Sequence, residues 1–178
     1  MRRVLSFVSA LALLALTVVS ALAPATAQPG DLGAMFKRFT EAYTAGDYAA
    51  ALVEAQKLEA AVKTQFGINH TDYAAALSSL AGVYWAQGKY AEAEAHLKRA
   101  LAIFEAKLGT DDPAVAETLK NLALVYWAQG KVAEAEAHYK RALAIFEAKL
   151  GKDHPSVADM RHLLSFGVVV FVNRGRRA

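Results

Sequence analysis

The sequence predicts an all-α fold, a right-handed superhelical α-solenoid built from helix-turn-helix repeats, and three observations carry that prediction. Residues 83–109, VYWAQGKYAEAEAHLKRALAIFEAKLG, return 42 residues later at 125–151, with only Tyr90 and Leu97 changed, to Val132 and Tyr139. Repetition at this period marks a stack of supersecondary units rather than one irregular core. Within each copy apolar residues recur at helical spacing, as at Leu119, Leu122, Ala123 and Tyr126, which puts them on one helical face. Glycines close the helical stretches, at Gly88 and Gly109 and again at Gly130 and Gly151, where a left-handed C-terminal turn favours them.

Taken in order, residues 1–27 read as a signal peptide. Arg2 and Arg3 form a basic start, and residues 4–23 are apolar apart from Ser6, Ser9, Thr17 and Ser20. Ala25-Thr26-Ala27 offers small residues to a signal peptidase, so cleavage is expected after Ala27. An uncleaved membrane anchor is the competing reading, since the apolar run approaches the ~20 residues that span a bilayer. Cleavage leaves chain enough for one domain, exported to the periplasm of a bacterial-type cell or secreted, with no membrane among its partners. The absence of cysteine excludes disulfides, thiolate chemistry and lipid attachment at a lipobox. Setting aside Arg2, Arg3, Arg174, Arg176 and Arg177 turns the formal charge from +3 to −2. The positive balance thus sits at the two ends, and no basic face for nucleic acid remains.

Projected backwards, the period pairs Gly46 with Gly88, Tyr48 with Tyr90 and Ala51 with Ala93. A degenerate first copy therefore occupies 31–69, ahead of a second at 73–109 and a third at 113–151. In the third copy Asp112 caps a helix that Pro113 opens, because proline in the first turn loses no intrahelical hydrogen bond. Gly130 ends that helix. A second helix follows with Ala135, Tyr139, Ala142, Leu143 and Phe146 on its inner face, and Gly151 stops it. On its outer face Glu136 and Lys140 are spaced i, i+4, worth ~0.2–0.5 kcal/mol. Small residues at Ala81, Ala93 and Ala100, repeated at Ala123, Ala135 and Ala142, let helix backbones approach closely. Tyr84, Leu101 and Phe104 fill the gaps between them.

Residues 155–165 read as the first helix of an incomplete fourth copy. The tail 166–178 is apolar and basic and lacks the tyrosine and glycine that the period calls for. Two readings of it stay open: it folds back as a cap, or it is a truncation remnant that invites self-association.

Leu122-Ala123-x-x-Tyr126 with Ala135-x-x-x-Tyr139, and Leu80-Ala81-x-x-Tyr84 with Ala93-x-x-x-Leu97, resemble the signature of tetratricopeptide repeats. The 42-residue length resembles the variety found in kinesin light chains. In the first copy Arg38 and Ala42 stand where the pattern expects Leu and Tyr. The resemblance implies a non-catalytic scaffold whose first helices line a concave groove and receive extended or helical peptides.

No constellation for catalysis is present. His96 and His138 occupy one repeat position beside solvated Glu and Lys, and there is no HExxH, no paired CxxC and no histidine–acid cluster. Glu94 and Glu136 each have a lysine four residues on, which describes a solvated face rather than shielded acids. Every expectation here is therefore of no enzyme, no cofactor and no metal. The candidate surface lies on the first helices. In the third copy Ala116, Lys120, Leu124 and Trp127 share a face offset from the packed stripe, with Asn121 beside them; the second offers Ser78, Gly82 and Trp85, and the first Phe36, Thr40 and Tyr43. Tyr43, Trp85 and Trp127 then stand one per repeat, either as rings wedged into the core or as anchors for a bound chain. Lys120 and Asn121 could contact a peptide backbone or carboxylate. The partner-binding candidates are Tyr43, Ser78, Trp85, Lys120, Asn121, Leu124 and Trp127, for an unidentified protein or peptide. The alternative is a structural unit forming a homodimer through its C-terminal helix and tail.

Overall fold

Caps and turn glycines divide the chain into helical hairpins. A computed structural model describes the backbone of residues 31–175 and the side chains of 31–165. The stretch read as a signal peptide and the side chains of the tail lie outside the described residues. Seven helices occur among the described residues: α1 (Leu32–Thr44), α2 (Tyr48–Phe66), α3 (Thr71–Ala86), α4 (Tyr90–Leu108), α5 (Pro113–Ala128), α6 (Val132–Leu150) and α7 (Pro155–Gly175). Two compact units are formed, one up to Ile103 and one from Phe104.

In the first unit α1 packs on α2, and α2 on α3. Its core gathers Phe39, Tyr43, Ala51, Ala55, Leu80 and Val83. The degenerate copy solves its packing differently from the other two. Arg38, at the expected leucine position, turns to solvent, where its Nε donates to Glu54 at 2.9 Å. Phe39, one residue later, is buried instead. A ladder of rings runs Phe36–Phe39–Tyr43–Tyr48, with centroids 5.8, 5.8 and 5.5 Å apart. The core stripe of α1 is thus shifted one residue along the helix, a turn of about 100°. Phe39 replaces the small alanine found at the matching positions of the later copies, Ala81 and Ala123.

In the second unit α5 packs on α6, and α6 on α7. Leu119, Leu122, Ala123 and Tyr126 are all buried, as the stripe requires. On α6 the inner face comprises Ala135, Tyr139, Ala142, Ile145 and Phe146; Leu143 is only half-buried and Ile145 takes its place. The buried alanines leave room for helix backbones to approach, and the rings and branched side chains fill what remains.

Capping explains where helices begin. Asp112 Oδ1 accepts from the Ala114 N–H at 2.8 Å. The two residues that stand in its place in the other copies are histidines, and both do the same work: the Asp72 N–H donates to His70 Nδ1 and the Ser156 N–H to His154 Nδ1, each at 3.2 Å. Helix ends close on glycine. At Gly130, φ is +78°, a left-handed conformation that costs other L-residues roughly 1–2 kcal/mol. The Lys131 N–H then reaches back to the Tyr126 carbonyl at 2.8 Å.

Helix α7 continues to Gly175, past Ser165 where the sequence pattern ends. The valines of the tail lower helix propensity only modestly, and no proline interrupts the run. Among the residues of α7 with described side chains, Val157 and Met160 are buried against the unit, and Arg161 pairs with Glu147 of α6 at 2.5 Å. Ala158, Arg161 and Ser165 are exposed where α5 carries the buried Ala116, Leu119 and Ala123. No helix among the described residues is long and apolar enough to cross a membrane.

Candidate functional site

In the second unit one face of α5 brings together Glu117, Lys120, Asn121, Leu124 and Trp127, at spacings of about one helical turn. The adjoining stripe is fixed by burial of Val115, Leu119, Leu122 and Tyr126. Thr118 is buried too, and its hydroxyl donates to the Ala114 carbonyl at 2.8 Å. With that stripe packed, the other face cannot rotate inwards. Leu124 and Trp127 are half-buried. The Lys120 ammonium is paired with Glu117, one turn earlier, and the two side chains are only 17% and 13% exposed. Asn121 is 9% exposed, and its side-chain carbonyl oxygen has no hydrogen-bond partner. Nearly all buried polar groups find partners, so such an atom calls for an explanation.

In the first unit the corresponding face of α3 carries Ser78 and Trp85, both half-buried. The Ser78 hydroxyl donates to the Ala74 carbonyl at 3.0 Å, so its hydrogen is already engaged. The Trp85 indole N–H is buried and unpartnered. Gly82, between them, is buried, and its carbonyl accepts a long hydrogen bond of 3.5 Å from the Tyr43 hydroxyl.

Tyr43 therefore differs from the tryptophans it matches by period. It is 5% exposed and belongs to the core. Burial, followed by its neighbour Tyr48, pushes its phenol up to about 12. The physical reason is the shifted stripe of α1, which turns the Tyr43 position inwards. Of the seven candidate residues, Tyr43 is core, Asn121 is nearly so, and Ser78, Trp85, Lys120, Leu124 and Trp127 remain partly accessible.

The remaining polar side chains have structural tasks. Rings of His96 and His138 tilt against Tyr84 and Tyr126, with centroids 5.2 and 5.1 Å apart. Their Nδ1 atoms lie 2.8 Å from the carbonyls of Glu92 and Glu134; a carbonyl accepts, so Nδ1 carries the hydrogen. Lys89 and Lys131 lie over the same tyrosine rings. Glu94–Lys98 and Glu136–Lys140 are both ion pairs at 2.6 Å. Hydrogen bonds from Lys57 and then Arg38 hold the Glu54 carboxyl below the usual range. Tyr73 donates to Glu59 at 2.6 Å beneath the Arg99 guanidinium. Burial, before that hydrogen bond, raises its phenol. Among the described residues no three His, Asp or Glu side chains gather to hold a metal.

What sequence reasoning missed is the capping role of His70 and His154. The signal was available, since both stand 42 residues from Asp112.

Comparison with known proteins agrees with this architecture. The family model described as tetratricopeptide repeat matches residues 40–106, 72–148 and 114–166. Among solved structures, nearly identical TPR-like repeats assigned to a Podosopora anserina kinesin light chain superpose with a TM-score of 0.72. That chain is 25% identical, and the match covers 80% of this chain and 67% of that one. A singly substituted form of the same repeats gives a TM-score of 0.71 at 24% identity, covering 80% and 68%. No curated protein matches the chain.

Proposed function

Because the chain belongs to the tetratricopeptide repeat family, an all-α solenoid of helical hairpins that generally serves protein interaction, we propose that it is a non-catalytic adaptor receiving a protein or peptide on the exposed faces of its first helices. One observation carries the reading. Both units set a half-buried tryptophan on that face, Trp85 on α3 and Trp127 on α5. Aromatic side chains bury much area at low entropic cost, so a partly exposed indole on each face is suited to anchoring a bound chain. Ser78 supplies a hydroxyl oxygen on the first unit, and Lys120 and Leu124 frame the site on the second. Tyr43 supports this surface from the core rather than presenting its ring.

The adaptor acts outside the cytoplasm. Arg2-Arg3, the apolar run over 4–23 and Ala25-Thr26-Ala27 support export and cleavage, and mass spectrometry of the secreted or periplasmic protein should find Gln28 at its N-terminus. A displayed peptide library selected on the mature protein tests the surface. Peptides so selected should lose most of their affinity for the Trp85→Ala, Trp127→Ala double variant while its helical circular dichroism is unchanged. Undiminished binding by a folded double variant rejects the assignment.

A further inference from the structure

Two of the three period-matched caps are histidines, and we infer that one of them makes the start of α7 a pH-sensitive joint while its counterpart at α3 stays held. His70 and His154 accept the N–H of Asp72 and of Ser156 through Nδ1, each at 3.2 Å. An accepting Nδ1 carries no hydrogen, so each capping ring is neutral. Histidine changes charge between about pH 8 and pH 5. Protonation turns Nδ1 into a donor, which abolishes the cap and sets a positive charge at a helix N-terminus, where the dipole disfavours it.

The surroundings of the two rings differ. The Asp72 carboxylate lies 3.4 Å from His70 Nδ1, with its side chain only 12% exposed, and its Oδ1 has no partner. A protonated His70 donates to this acid in a charge-assisted bond that takes the place of the cap. Two residues after His154 stands Ser156 instead, which carries no charge. The other charged groups in the turns adjoining His70 are Glu59, which accepts from Tyr73, and Lys63. Those adjoining His154 are Glu147, Lys149, Lys152, Asp153 and Asp159. Glu147 is taken by Arg161, and Asp153 and Asp159 are exposed, where water screens them. The His154 cap therefore contributes while the ring is neutral and is lost as pH falls. Val157 and Met160, which bury α7 against the unit, lie in the first turns that this cap holds, so acidification loosens the seat of α7 and leaves α3 in place.

Amide hydrogen exchange of the ¹⁵N-labelled protein, followed by NMR at about pH 8 and pH 5 and corrected for intrinsic exchange, reads both helices at once. Protection of the Ser156, Val157 and Ala158 amides should fall about fivefold on acidification, the loss of one cap, while that of Asp72, Tyr73 and Ala74 changes by less than about twofold. His154→Asp supplies the kind of acceptor that Asp112 supplies to α5, one that imidazole protonation does not touch, and should abolish the fall. Asp72→Ser gives His70 the surroundings of His154 and should bring the fall to α3. Unchanged protection at α7, an equal fall at both helices, or a fall that persists in His154→Asp overturns the inference. So does a folded Asp72→Ser protein whose α3 stays protected. Should Asp72→Ser fail to fold, the unaltered protein and His154→Asp decide between them.

Discussion

At the scale of single residues, Tyr43 shows how a repeat position changes its role without changing its chemistry much. Trp85 and Trp127 at matching positions remain half-buried, while Tyr43 is closed into the core by Phe39 and Tyr48. The hydroxyl keeps a single long contact, to the Gly82 carbonyl, so its ionisation is opposed chiefly by desolvation. A phenol held near 12 in the folded chain and near 10 when unfolded favours the fold below about pH 10, and that contribution disappears as pH climbs towards 12. Burial also raises Tyr139. Spectrophotometric titration at alkaline pH should therefore show these tyrosines ionising late, together with loss of helical signal. In Tyr43→Phe the alkaline unfolding midpoint should move to higher pH, with stability at neutral pH changed by no more than about 1 kcal/mol. A smooth titration of all tyrosines near pH 10 with the helices intact would contradict this.

At the scale of elements, the helices of the second and third copies were legible because their punctuation is written in residues with one physical use. Gly130 is needed for its positive φ, Pro113 fits a first turn, and Asp112 has an oxygen placed to accept the Ala114 N–H. Removing that cap in Asp112→Ala should cost about 1 kcal/mol, lowering the thermal midpoint by roughly 2–4 °C. Calorimetry of the two proteins measures it; an unchanged midpoint would show that the cap is dispensable. The stripe of α1 was not legible, because a period projected from α3 and α5 carries their register with it. Only the ring contacts of Phe36, Phe39 and Tyr43 reveal the one-residue shift, and those depend on tertiary packing rather than on repeat position. The histidine caps were obscured for another reason: histidine is not usually a cap acceptor, and nothing in a sequence shows which ring nitrogen faces an N–H. Helix α7 outran the pattern because propensity is local, and valines without a proline do not stop a helix that packing has begun.

At the scale of the whole molecule, the period, with the helical spacing of apolar residues and the turn glycines inside it, was enough for the fold class, since stacked hairpins are the usual way such a repeat buries its apolar faces. It could not separate ligand-facing rings from packing rings, because both require an aromatic at the same spacing. Accessibility separates the buried Tyr43 from the half-buried Trp85 and Trp127, and a sequence does not display it. Lys120, offered by the sequence as a contact for a peptide backbone or carboxylate, is paired with Glu117 one turn earlier. Fold in this family does not identify a ligand, so the account stands on whether the first-helix faces bind at all. The chain has two tryptophans, one on each of those faces, and each indole N–H gives its own resonance. Titrating a library-selected peptide into the ¹⁵N-labelled protein tests the claim most directly. Saturable shifts of the Trp85 and Trp127 indole resonances are the expected result. Indole resonances that stay fixed while residues of α2, α4 or α6 respond to the same peptide would contradict it.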